Sequence, residues 1–112
     1  MLNINNVKLN PVNVSNLNTN REILVHNEKF KTVYFKFEEG KGLPNHTHNV
    51  YAAVYIVSGS VDMEFTSGEK FVLNQGDFLP FDARIEHNVI AKELSKILVI
   101  ISQPLFFNKL IL

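Results

Sequence analysis

Two histidines one residue apart, His46 and His48, and a third far along the chain, His87, are the residues of this 112-residue protein best suited to chemistry. Neutral imidazole is a favoured ligand for first-row transition metals. On an extended backbone successive side chains alternate faces, so positions i and i+2 point the same way. A third imidazole arriving from a separate strand would complete three nitrogen ligands around one divalent ion. Three protein ligands leave coordination positions open, which separates a working metal from a structural one. Taken alone the pair is weak evidence, because a polar loop whose imidazoles only hydrogen-bond looks the same. His26 stands outside this set and is read as an exposed or packed strand residue.

Other polar candidates are sparse. Asp82, Arg84 and Glu86 precede His87. Solvated loop charges are the ordinary expectation there, although an arginine so placed has the geometry for a bidentate pair with a substrate carboxylate. Tyr51 and Tyr55 share a strand face opposite to that of Ala52 and are read as packing residues. The chain has no cysteine, so disulfides, thiolate ligands and a cysteine nucleophile are excluded. No convincing general acid or base falls on the expected interior, which counts against ordinary hydrolase or isomerase mechanisms.

Eleven basic residues balance eleven acidic ones. Neither a basic stripe for a nucleic-acid backbone nor a polybasic run for an anionic membrane is present. No segment approaches the ~20 apolar residues of a membrane span, and residues 1–18 lack the apolar stretch of a secretory signal. A cytoplasmic location is the expectation by elimination.

The elements that must position the histidines are strands. Phe30 to Phe37 alternates, with Val33, Phe35 and Phe37 on one face. Val50 to Val57 is nearly all apolar, as in a strand covered on both faces. Ser58–Gly59–Ser60 turns into the alternating run Val61 to Thr66, and Ser67–Gly68 turns again into Lys70 to Leu73. Phe78 to Phe81, His87 to Ala91 and Lys96 to Ser102 follow, with one helical turn expected at Lys92 to Ser95. Short strands separated by regular turn signals predict an antiparallel sandwich or small barrel, all-β and a single domain. Residues 1–21 read as an N-terminal arm or edge strand, 22–103 as the barrel and 104–112 as an apolar tail. Leu105, Phe106, Phe107, Leu110, Ile111 and Leu112 make that tail too apolar to leave in water. With no net charge to oppose association, a homodimer held by the termini is the expected assembly.

The spacing resembles the cupin superfamily, small jelly-roll barrels that commonly carry a metal in the lumen. In the first cupin motif a Gly is followed by His-x-His, a Glu and a second Gly. Here Gly40, His46, His48 and Gly59 stand at the matching distances, and Ala52 occupies the Glu position. In the second motif Gly76 and His87 match, while Asp82, Arg84 and Ala91 replace the Pro, Gly and Asn. The likeness covers roughly residues 22–103 and implies a double-stranded β-helix barrel of the jelly-roll type.

The resemblance also implies a metal held by His46, His48 and His87, one divalent transition ion among Fe, Ni, Zn, Mn and Cu. Loss of the Glu leaves a three-His set similar to that of cysteine dioxygenase-like enzymes. Three neutral ligands leave the charge of the ion uncompensated, which strengthens a Lewis acid and lowers affinity together. Val33, Phe35, Phe37, Val54, Ile56, Met63 and Phe65 line the expected lumen, an interior suited to a small organic ligand with one polar end at the metal. Two functions remain open on this basis: a three-His metalloenzyme, dioxygenase-like, acting on a small organic molecule, or a non-catalytic small-molecule or metal sensor. A purely structural barrel with relic histidines is the third possibility.

Overall fold

Register and alternation build nine strands among the described residues, 9–104, of the structure, a computed structural model. They are β1 (Arg21–His26), β2 (Phe30–Phe37), β3 (Gly42–His46), β4 (Tyr51–Ser58), β5 (Ser60–Phe65), β6 (Lys70–Asn74), β7 (Phe78–Asp82), β8 (His87–Ala91) and β9 (Ser95–Ser102). One sheet runs β1-β2-β9-β4-β7 and the other β3-β8-β5-β6, with every pairing antiparallel. Pairings between strands distant in sequence, β2 with β9 and β3 with β8, wrap the two sheets face to face. This is the all-β jelly-roll architecture expected from the strand pattern.

The inner faces follow from the pleat. β4 turns Ala52, Val54 and Ile56 inward, with Val54 across from Leu79 and Val99 and Ile56 across from Ile97. Val61, Met63 and Phe65 of β5 and Val89 and Ala91 of β8 face them from the second sheet. Of the residues expected in the lumen, Phe37, Val54, Ile56, Met63 and Phe65 belong to this core, Phe35 packs on it and Val33 is buried. Each such side chain contributes about 1.5–3 kcal/mol when fully buried, so apolar packing holds the barrel.

The N-terminal segment lies over the outer face of the five-stranded sheet. Val14–Asn16 forms a 3₁₀ turn against β4. The Leu17 carbonyl accepts the Tyr34 hydroxyl at 3.0 Å, and the carbonyls of Asn18 and Ser15 accept the ammonium groups of Lys36 and Lys96 at 2.7 Å each. Burial, then the charge of Glu22, pushes the Tyr34 phenol above its ordinary range. The expectations for residues 1–8 and for the apolar tail at 105–112 lie outside the described residues. Among the described residues no helix is long and apolar enough to cross a membrane.

Two elements differ from the sequence pattern. Residues 92–94 form a bend rather than a helical turn, since β8 ends at Ala91 and β9 begins at Ser95. Gly42–His46 is a strand although Gly, Pro and Asn all disfavour one. Pairing with β8 overrides those local preferences, at the cost of an irregularity between Leu43 and His46.

Candidate functional site

The β3–β8 pairing places His46 directly across from His87, and Phe65 of β5 lies across from His87 on its other side. The His46 and His87 ring centroids are 4.3 Å apart at 60°. Each ring is oriented by its own strand. Nδ1 of His46 donates to the carbonyl of Pro44 and Nδ1 of His87 to the carbonyl of Ile85, both at 2.7 Å. A carbonyl only accepts, so Nδ1 carries a proton, and the neutral tautomer that this bond selects has its lone pair on Nε2. Oriented imidazoles of this kind are the usual preparation for metal ligation. Burial pushes the His87 imidazole below its ordinary range, and the charges of His46 and His48 push the same way, against the opposing hydrogen bond to Ile85. His87 is thereby held as a lone-pair donor.

His48 is placed differently. β3 ends at His46, so the i, i+2 parity of an extended strand does not carry through to His48. Its backbone is clamped, N–H donating to the Ala83 carbonyl at 2.9 Å and its own carbonyl accepting from Val50 at 2.8 Å, while the side chain is exposed. Two of the three candidate imidazoles are therefore brought together, and the third stands on the adjoining loop. Among the described residues no group of three or more His, Cys, Asp or Glu side chains is spaced to hold a metal ion. His26, on β1, is exposed and takes no part.

Aromatic rings wall the pair. Phe81 lies 4.9 Å from the His87 ring and Phe65 5.8 Å, with the two phenylalanines 5.6 Å apart. Ala52, the residue in the Glu position of the motif, is the cross-strand neighbour of Phe81 and shares its inward face. Tyr51 and Tyr55 point to the outer face. Arg84 is engaged elsewhere: its Nε and Nη2 donate to the Asp82 carboxylate at 2.9 and 2.7 Å, and its guanidinium lies 5.5 Å over the Tyr51 ring. Those bonds hold the Asp82 carboxyl down at about 2. The fork that would grip a substrate carboxylate is already filled. Glu86 is exposed, and only its backbone carbonyl is engaged, by Thr66.

Sequence reasoning missed Phe81, which strand parity with Leu79 would have found, and the two carbonyls that orient the rings, for which no side-chain signal exists.

The model of the Cupin domain family matches residues 33–101, well over half of the chain. The chain is a cupin. Solved structures agree on the fold. KdgF from a Halomonas species is 28% identical, with a TM-score of 0.69 over 76% of this chain and 80% of its own. An RmlC-like cupin from Desulfovibrio desulfuricans is 26% identical, with a TM-score of 0.69 over 88% and 95%. A cupin superfamily protein from Desulfitobacterium hafniense reaches a TM-score of 0.76 over 86% and 93%, and at 19% identity its likeness speaks for the fold alone. No curated protein matches the chain. Cupins often bind metals, and they serve mixed functions, so the family does not by itself assign an activity.

Proposed function

We propose that this cupin binds one divalent transition metal through His46, His48 and His87 and receives a small organic molecule beside it. The observation that carries this reading is the pair of adjacent imidazoles, each locked by a carbonyl at Nδ1 with Nε2 free. The donor set fits a late first-row ion: two oriented nitrogens, with His48 on the adjoining loop as the third ligand once its side chain turns inward. Such an ion, when bound, supplies Lewis-acid polarisation or, as iron, chemistry with dioxygen. The surrounding residues Ala52, Phe65 and Phe81 exclude water and offer no proton donor or acceptor. That favours dioxygenase-like chemistry, which draws its reactivity from the metal, over mechanisms that need a protein base. The same apolar wall favours the second reading, a sensor that binds without turnover.

Metal titration into metal-free protein tests the proposal, with one equivalent of Fe(II), Ni(II), Zn(II) or Mn(II) bound per chain as the expected result. The variant Ala52→Glu sharpens it. Position 52 faces inward beside Phe81, so a carboxylate there would add an oxygen ligand that suits Mn(II) better than imidazole does. Binding of Mn(II) is expected to tighten roughly tenfold, ~1.4 kcal/mol. Equal affinities for the two proteins would mean that position 52 does not reach the ion.

We propose further that the protein is a homodimer, paired through the outer face of the five-stranded sheet. The N-terminal segment covers the end bearing Tyr34 and Lys36. In the strip left uncovered, Pro80, Ala53 and Ile100 lie in one cross-strand row that continues to Thr32, and exposed Tyr51 and Phe30 flank Ser102 in the next. Sedimentation of the wild-type chain at micromolar concentration is expected to give a dimer, and Phe30→Glu/Ile100→Lys a monomer. A wild-type monomer would end the proposal.

A further inference from the structure

A cavity of about 220 Å³ opens along the seam where the edge strands β6 and β7 approach each other, lined chiefly by Phe65, Phe71, Leu79, Phe81 and Ile85. Its inner walls are the two rings that touch His87, so anything seated there is one aromatic thickness from the histidine pair. At its mouth Phe71 and Ile85 remain 39% and 40% exposed, large apolar side chains that gain by being covered. The space is an open groove rather than a sealed cavity, and its volume falls short of the ~300 Å³ at which drug-sized pockets begin. It suits a single ring. The walls suit one too: Phe71 and Phe81 stand edge-on to Phe65 at 83° and 66°, with centroids 6.2 and 5.6 Å away, a geometry that a further ring can extend.

The rim sets the charge. Glu69 borders the opening, and its hydrogen bond from the Ser67 hydroxyl keeps its carboxyl below the ordinary range; the Asp82 charge beside it is matched by Arg84, so Glu69 leaves the rim negative. An entering carboxylate meets like charge, whereas a neutral phenol or alkyl group does not.

We propose that this seam is the ligand entry and specificity pocket of the protein, taking the neutral, single-ring or similarly sized apolar portion of its organic ligand, with Phe71 and Ile85 setting the size accepted. The proposal rests on the metal reading only for the direction of the ligand's polar end, toward His46 and His87. Occupancy of the seam needs no metal.

The test is an amide-resolved NMR titration of the metal-free full chain with p-cresol and, separately, benzoate. p-Cresol is expected to produce saturable shifts centred on Phe71, Phe81 and Ile85, and benzoate to bind about tenfold more weakly or worse. Ile85→Gln, at an exposed position whose backbone bonds are untouched, is expected to weaken p-cresol about tenfold, and Phe71→Ala likewise. The native amide spectrum checks that each variant folds. Absence of saturable shifts, shifts that survive both variants, or equal affinity for benzoate would each overturn the proposal. A metal titration of the wild-type chain beside the p-cresol titration separates the two ideas. Seam binding by a chain that takes up no metal sinks the metal reading alone, and a metal-binding protein with an empty seam sinks this one alone.

Discussion

His46→Ala is expected to lower metal affinity by more than the ten- to hundredfold typical of losing an outer-shell partner, because it removes a ligand outright. The strand signature in circular dichroism should not change. The core is apolar and lies in rows beyond the histidines, and His46 is only half-buried at the end of β3. His87→Ala should abolish metal equally but with a stability cost. His87 is buried between Phe65 and Phe81, and truncation leaves a gap of the kind that destabilises by about 2–3 kcal/mol in apolar surroundings. His48→Ala is expected to weaken binding without any effect on stability, its side chain being exposed. His26→Ala is the control for histidine content and should retain full stoichiometry. Metal content measured on untagged protein decides among these. Unchanged content in His46→Ala/His87→Ala would remove the basis of the metal site altogether.

The graded behaviour expected of the three histidines shows what was legible in the chain. The all-β architecture could be read from alternation, since in-out patterns such as Val61–Asp62–Met63–Glu64–Phe65 admit one pleat. The encounter of His46 with His87 could be read only through the motif spacing. It depends on β3 pairing with β8 across more than forty positions, and no local propensity announces a strand containing Gly42, Pro44 and Asn45.

What could not be read is where that strand stops. The same-face expectation for His46 and His48 assumed extended backbone throughout, and the chain leaves the sheet at His46 to be clamped against Ala83. Arg84, expected as a loop charge with the geometry to grip a carboxylate, is a second such case. Its engagement by Asp82 two residues earlier, with Tyr51 of β4 beneath it, comes from a loop conformation that residue types alone leave open.

The two glycines that precede His46 differ in kind, and the second carries the other large expected effect. Gly40 has φ +82°, with nothing near the space a Cβ would occupy. Alanine there meets only the left-handed backbone penalty, about 1–2 kcal/mol. Gly42 has ordinary φ and no room. Its Cβ would overlap the Val89 carbonyl oxygen, 2.9 Å from the carbonyl carbon and 3.0 Å from the Ile90 Cα, all backbone atoms of β8. Backbone cannot rotate aside as a side chain can, so Gly42→Ala must push β3 off β8. Overpacking typically costs 1–3 kcal/mol, and this case belongs at or above the upper end, about 3 kcal/mol. For a domain of this size that lowers the melting midpoint by about 10 °C or more. The displacement falls on the one pairing that sets His46 against His87, so Gly42→Ala should also lose metal though it touches neither ring. Thermal melts of Gly40→Ala and Gly42→Ala, beside their metal contents, check this. A Gly42→Ala protein no less stable than Gly40→Ala would show that β3 can leave β8 at little cost, and that the pairing does not hold the histidines in place.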